Sequence, residues 1–355
     1  MIVSAHIIGG EALGGAELFY ARFINALLAR QYPVLAVTAP GSQVGRLVGT
    51  DAVQAKIPMR GVWDVLSRWQ ISQLLCQYQP EIVQTYMGRA TRLTHVPPGR
   101  RPVHIARLGG YYNPHGYRHA HAWVVNSAGI RSHLIQHGFP EHRIFLVSNF
   151  VAPCHPSSAD ELGQLRCELS IPDDALIVTT VGRLHPVKGF ENLLAAFAKV
   201  PAQIHDRPVY LVVVGDGPLA TQLLQYAEQL GISHRVRWPG WRNDAGRFQE
   251  LAHLCVCSSI QEGLGNIILE SWARRRAMLS TCAQGPADTI TDREDGWLVP
   301  VGQPAAFASA IEHLLRDDAL RYQLAENGHR TLISRHSEKT IVNDYLAMYQ
   351  QLLMA

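Results

Sequence analysis

The sequence predicts two doubly wound α/β domains in tandem. Three observations carry that prediction. The chain has 355 residues, which at roughly 150 residues per domain makes about two domains. Short runs rich in Val and Ile alternate with longer segments of helical spacing, the pattern of parallel strands joined by crossover helices. The pattern stops near Val151, passes through Ala152-Pro153-Cys154-His155-Pro156-Ser157-Ser158, a short polar helix and Pro172-Asp173-Asp174, and restarts at Ile177. Proline and serine clusters of this kind mark a connection between domains.

The elements follow in order. In the first half, strands are expected over residues 2–8, 34–37, 82–85, 103–107, 122–125 and 144–147. Helices are expected over 16–29 and 62–77. The second helix spaces Val62, Val65, Leu66, Trp69 and Leu74 at helical intervals. That stripe is expected to face the core rather than lie on a membrane surface. In the second half, residues 177–181 and 209–214 are unbroken apolar runs, typical of strands buried on both faces. Strands over 254–258, 278–281 and 297–299 follow, with helices over 190–199, 219–230, 265–275, 304–315 and, last, 338–353. The expected domains are residues 1–155 and 156–337, with 338–355 as a terminal helix. In doubly wound sheets ligands sit at the C-terminal ends of the strands, so a cleft between the domains is the expected site.

Composition narrows the function. Apolar residues make up 47% and charged residues 17%, which excludes a disordered chain. No apolar run approaches the roughly 20 residues of a spanning helix. The start lacks a basic segment and a cleavage pattern, so it reads as a strand and not as a secretory signal. The six cysteines form no CxxC pair and are expected as buried thiols of a reducing compartment, the cytoplasm. Charge is uneven. Residues 1–155 hold 14 basic and 6 acidic side chains, a net +8, and residues 156–355 hold 18 and 23, a net −5. A basic first domain suits an anionic partner: nucleic acid, a phosphorylated glycolipid or a membrane surface. Nucleic acid is disfavoured because the basic excess is diffuse and has no aromatic-basic pattern.

Three stretches could carry chemistry. The first strand ends in Gly9-Gly10-Glu11-Ala12-Leu13-Gly14-Gly15-Ala16-Glu17. Glycines between a strand and a helix let an anion approach backbone amides. The spacing matches neither the dinucleotide nor the P-loop fingerprint, and it fits a plain flexible turn equally well. The second stretch, Gly182-Arg183-Leu184-His185-Pro186-Val187-Lys188-Gly189, delivers two cations to one loop after a buried strand. Arginine's fork and lysine's point charge suit a diphosphate leaving group; two solvated surface charges are the alternative. The third is Ser258-Ser259-Ile260-Gln261-Glu262-Gly263-Leu264-Gly265-Asn266-Ile267-Ile268-Leu269-Glu270. Glu262 precedes two glycines and Glu270 lies on the helix they start. Carboxylates holding sugar hydroxyls beside cations holding phosphates are what a nucleotide sugar requires. Glycoside hydrolysis by paired acids leaves the cations without a role. No Asp-x-Asp triplet and no metal-ligand spacing occurs in the sequence, so metal-dependent chemistry and an essential metal are not expected.

At these residues the sequence resembles the retaining GT-B glycosyltransferases, the large group that includes sucrose synthases and bacterial envelope-sugar transferases. The matching pieces are Gly14-Gly15-Ala16-Glu17, Gly182-Arg183-Leu184 with Lys188-Gly189, Gly215-Asp216-Gly217-Pro218, the Glu262/Glu270 pair and Gly296-Trp297-Leu298-Val299. The resemblance implies two Rossmann-like domains facing across a cleft, with the acceptor on the N-terminal domain and the nucleotide sugar on the C-terminal one. It implies that Arg183 and Lys188 bind the donor diphosphate, Glu262 touches the donor sugar and Glu270 the ribose. Gly182, the amides of Gly263, Leu264, Gly265 and Asn266, and those of Gly14 and Gly15 would complete the donor site. The terminal helix would return toward the first domain. No cofactor beyond the donor substrate is implied.

Two departures stand out. Many relatives carry a histidine near the donor sugar, and here that position reads Gly109, within Ile105-Ala106-Arg107-Leu108-Gly109-Gly110-Tyr111-Tyr112-Asn113. Relatives have a glycine cap near Arg275, where this chain has Arg274-Arg275-Arg276, a basic corner or three solvated charges. The 107–112 segment resembles transferases that build lipopolysaccharide cores. Arg107, Tyr111, Tyr112, Asn113 and His115 are by position the expected acceptor contacts. Arg89, Arg92, Arg100 and Arg101 would meet acceptor phosphates or the inner membrane face. The expected function is transfer of a sugar from a nucleotide-diphosphate sugar to an anionic envelope glycolipid or oligosaccharide. The protein would be cytoplasmic and peripheral on the inner membrane. A nucleotide-sugar epimerase of similar shape and a non-catalytic nucleotide-sugar or glycan-binding protein are the alternatives.

Overall fold

The computed structural model describes every residue except 1, 2, 11, 12, 98, 100, 153, 155 and 355. The chain divides into two compact units, Met1–Ala152 with His336–Ala355, and Pro153–Arg335.

The first unit is built on β1 (Ser4–Ile8), β2 (Val34–Thr38), β3 (Val53–Lys56), β4 (Ile82–Tyr86), β5 (Val103–Leu108), β6 (Ala122–Val125) and β7 (Ile144–Leu146). They lie in the order β3-β2-β1-β4-β5-β6-β7, every pair parallel. The order reverses beside β1, so chain reversals put loop ends together there. One core is formed where Phe19, Tyr20, Phe23 and Ile24 of the helix Gly15–Ala29 meet Ile341, Val342, Tyr345 and Tyr349 of the terminal helix Glu338–Met354. The Phe23 and Tyr345 rings lie 4.4 Å apart between centroids, tilted by 45°. A buried polar chain anchors the same helix. Tyr349 Oη donates to Gln84 Oε1 at 2.7 Å, Gln84 Nε2 to Tyr86 Oη at 2.7 Å, and Tyr86 Oη meets His6 Nδ1 at 3.0 Å.

The second unit holds β8 (Leu176–Val181), the short β9 (Gln203–Ile204), β10 (Arg207–Val214), β11 (Val236–Gly240), β12 (Leu254–Cys257), β13 (Met278–Thr281) and β14 (Trp297–Val299). Its parallel order is β11-β10-β8-β12-β13-β14, and β9 pairs antiparallel with β10. Phe190, Leu193, Leu194 and Phe197 of the helix Phe190–Phe197 pack with Phe307, Ile311, Leu314 and Leu315 of the helix Pro304–Arg316. Ser158 starts the helix Ala159–Glu168 with a reciprocal capping box to Glu161.

Three expectations need correction. The helix over 62–77 is observed at Val65–Tyr78 with Asp64 as its N-cap, and it buries Ser67, Ile71 and Leu75, not the expected stripe. Val65, Leu66 and Trp69 are 75%, 74% and 60% exposed. The reason is phase: Ser67 Oγ accepts from the Met59 amide at 2.9 Å, which turns the i, i+4, i+8 row of Ser67 inward. β3 and β11 were not expected, because β3 is a mostly exposed edge strand and β11 carries Arg237 and Pro239. All six cysteines are free, but only Cys255 and Cys257 are buried; Cys76, Cys167 and Cys282 are exposed.

Candidate functional site

In the second unit the loops after β8, β10 and β12 are bound to one another by backbone bonds. Gly182 N donates to Val214 O at 3.0 Å and Leu184 N to Asp216 O at 2.9 Å. Ile260 N donates to Val187 O at 2.8 Å. Glycine makes these approaches possible. A Cβ on Gly215, whose φ is +141°, would lie 1.9 Å from Gly182 O, and one on Gly189, whose φ is +64°, would lie 2.2 Å from Ser258 O. Arg183, on this assembly, is exposed and makes no hydrogen bond or ion pair among the described residues.

Lys188 and Glu262 are brought together as an ion pair between Nζ and Oε2, their side chains 29% and 14% exposed. Ser259 Oγ donates to the same oxygen at 3.0 Å, and Ser258 Oγ donates to Lys188 O at 2.9 Å. Burial works against the Lys188 ammonium, but the charge and hydrogen bond of Glu262, together with Cys257, hold the lysine above its ordinary value. The group is therefore a permanent cation at neutral pH. Gly263, Leu264 and Gly265 are buried just beyond. Gly265 (φ +91°) is the N-cap of the helix Asn266–Ala273, which has no side-chain cap, and its Cβ position lies 3.4 Å from Glu262 Cγ. A helix N-terminus without a side-chain cap attracts negative charge. Glu270 is half-buried on that helix, in its second turn.

In the first unit the glycine loop after β1 closes on Glu17. A Cβ on Gly10 would meet Glu17 Oε1 at 2.2 Å and one on Gly14 would meet Oε2 at 3.0 Å. Glu17 is 6% exposed. Burial raises its pKa, opposed by hydrogen bonds from its own amide and that of Gly14. Gly14 caps the helix Gly15–Ala29 without a side-chain bond. Glu11 and Ala12 lie outside the described residues.

The expected acceptor residues divide. Arg107 is only 3% exposed: Nε donates to Tyr345 Oη at 3.2 Å, NH2 to Asn149 Oδ1 at 2.5 Å, and the guanidinium sits 3.9 Å from the Phe19 ring centre. It is buried and not available as a surface contact, because β5 points it into the core under the terminal helix. A Cβ on Gly109 would lie 3.3 Å from its NH1, so little room exists for a larger residue there. Tyr111 and Tyr112 are half-buried against His133 and Tyr117. Asn113 accepts from the His115 amide at 3.1 Å, and both are exposed. Arg89 donates to Gly9 O at 3.0 Å and Arg101 pairs with Glu81 at 3.0 Å. Arg100 lies outside the described residues. The triple arginine is not a free basic corner: Arg275 is exposed, but all three are paired or hydrogen-bonded. Arg275 takes a left-handed φ of +51° and pairs with Glu326, and Arg274 and Arg276 reach the side chain and carbonyl of Glu250.

Sequence reasoning quoted Ser259 and Gly189 within its motifs but gave neither a role of its own. The signal for both was present: a serine pair directly at a strand end, and a glycine directly after the lysine.

The family model described as "Glycosyl transferases group 1" matches residues 164–331. The lipopolysaccharide core biosynthesis glycosyltransferase LpsE of Rhizobium meliloti is 33% identical over 94% of this chain and 95% of its own length. Its counterpart LpsD is 30% identical over 95% of each. Among solved structures, Anabaena HepE in complex with UDP and glucose superposes with a TM-score of 0.84 at 18% identity, covering 99% of this chain and 100% of that one. WaaG, a glycosyltransferase involved in lipopolysaccharide biosynthesis, gives 0.73 at 17% identity and 98% of both chains.

Proposed function

The chain belongs to the group 1 glycosyltransferases of GT-B fold, and from that premise we propose that it moves a sugar from a nucleotide-diphosphate sugar to a lipopolysaccharide-core or related envelope glycan. The observation that carries this reading is the Lys188–Glu262 pair beside a helix start without a side-chain cap, with Arg183 on the adjoining loop. Two cations and helix amides suit a diphosphate. A carboxylate whose Oε1 takes no part in the pair suits a sugar hydroxyl.

The reaction retains the anomeric configuration. The bond from the anomeric carbon to the diphosphate oxygen breaks, and the acceptor oxygen bonds to that carbon on the same face. The acceptor proton passes to the departing phosphate oxygen. The protein's part is placement of the donor and stabilisation of the developing negative charge by Arg183 and Lys188, with no metal. Glu270 binds the ribose. The acceptor class is supported by the names of the two relatives that span the chain, and the same acceptor would hold the enzyme at the inner face of the cytoplasmic membrane.

The test is a thermal-shift panel of UDP-, GDP-, ADP- and CMP-sugars, followed by transfer assays with and without chelator and NMR of the product anomer. A ligand that binds only the folded state raises its melting temperature. One nucleotide diphosphate is expected to stand out, and its sugar to appear in the product with its anomeric configuration kept. Free epimerised sugar without acceptor, or a flat panel with no transfer, overturns the reading.

A further inference from the structure

Among the described residues, the most exposed cluster of large apolar side chains lies on the first unit, in one helical turn and the loop before it. Trp63 is 90% exposed, Val65 75%, Leu66 74% and Trp69 60%. The helix behind them is already satisfied: Ile71 and Leu75 pack with Met59, Leu93 and Val96. Nothing in its own packing calls for the outer four. Arg60 and Arg68 are exposed in the same stretch. The only acid between residues 57 and 80, Asp64, is engaged as the N-cap, accepting from the Ser67 amide at 3.1 Å and the Arg60 amide at 3.0 Å. Two indoles, two aliphatic chains and two arginines around a helix start have the composition of a segment that seats in the headgroup–acyl boundary of an anionic bilayer.

We propose that residues 60–69 form the membrane-docking face of this enzyme and that its occupant is an anionic lipid surface. The proposal rests on the reading of a membrane-borne acceptor given above, and it names where the chain meets that membrane. Charge complementarity favours lipid over a second protein: residues 1–155 carry a net +8, which anionic headgroups attract. Size favours it too. Four side chains of one turn present less than the roughly 800 Å² per partner of a standard protein interface, yet interfacial insertion needs no more than a short apolar wedge.

The experiment is co-sedimentation of the full chain with vesicles of phosphatidylglycerol and phosphatidylcholine, against vesicles of phosphatidylcholine alone. The wild type is expected to bind the anionic vesicles and to release in high salt. The double variant W63S/W69S is expected to bind about tenfold or more weakly, with its circular dichroism and donor-induced thermal shift unchanged. R60Q/R68Q is expected to lose the preference for phosphatidylglycerol. Equal vesicle binding by W63S/W69S, or no binding by the wild type, overturns the proposal. So does a wild-type dimer in light scattering that W63S/W69S dissolves, since the patch would then belong to a second copy. Because the donor-induced shift and transfer to a soluble oligosaccharide acceptor are read on the same samples, failure at the membrane is distinguishable from failure of the transferase reading.

Discussion

Lys188 shows how neighbouring groups hold one side chain in the place its proposed role requires. It directly precedes Gly189, a left-handed glycine that packs closely against Ser258 O, is held by a carboxylate, and has its backbone carbonyl fixed by Ser258. Lys188→Ala is expected to lower kcat by about a hundredfold or more through lost charge stabilisation; near-normal turnover would remove the lysine from the site. The pH dependence follows from the raised pKa. Stability from the pair is fully present below the ordinary lysine value and is lost as pH rises through the raised one. The alkaline limb of activity attributable to Lys188 therefore lies above the usual lysine range. Gly189→Ala tests the backbone beneath it. A Cβ there would fall 2.2 Å from Ser258 O in a residue at φ +64°. The variant is expected to lose about 1–3 kcal/mol of stability and most of its turnover, read by thermal melting and initial rates.

At the scale of elements, the terminal helix Glu338–Met354 owes its place to aromatic packing and to one buried chain of hydrogen bonds. Tyr349→Phe keeps the ring and removes the donor to Gln84 Oε1. The expected cost is about 1–3 kcal/mol, the penalty of leaving a buried acceptor unpaired, read from the urea midpoint. An unchanged midpoint would mean that the chain adds nothing to the packing. The helix Val65–Tyr78 teaches a different lesson. Its apolar residues occupy more than one face, so periodicity alone could not choose the buried one. A single hydroxyl bond from Met59 to Ser67 and the Asp64 cap set its rotation, and the strongest-looking stripe went to solvent. The β3 and β11 strands were invisible for a related reason. Edge strands keep polar or proline-bearing sequences because one side has no neighbour to pair with.

Over the whole molecule, buried histidines are expected to set the acid limit. His6 and His104 are both fully buried in the first unit. Burial lowers His6 to about 3 and pushes His104 well below its ordinary value, with His119 and His121 adding to the effect. A histidine whose folded pKa is depressed favours unfolding as pH falls below its ordinary 6.5, since the unfolded chain then binds the extra proton. Each group removes about 1.4 kcal/mol per pH unit over that window. Urea midpoints are expected to hold from pH 8 to about 6.5 and to fall steeply below; a flat profile to pH 5 would exclude these histidines as the cause. The sequence alone determined the α/β class, the restart of the pattern near Ile177 and the loops at the ends of β1, β8 and β12. Those are local signals: runs of Val and Ile, glycines at strand ends, charges at fixed spacing. Only the tertiary structure decided that Lys188 pairs with Glu262, that Arg107 lies in the core, and that Trp63 and Trp69 face outward. The first two depend on atoms brought from distant parts of the chain, and the third on which face of the helix finds a partner.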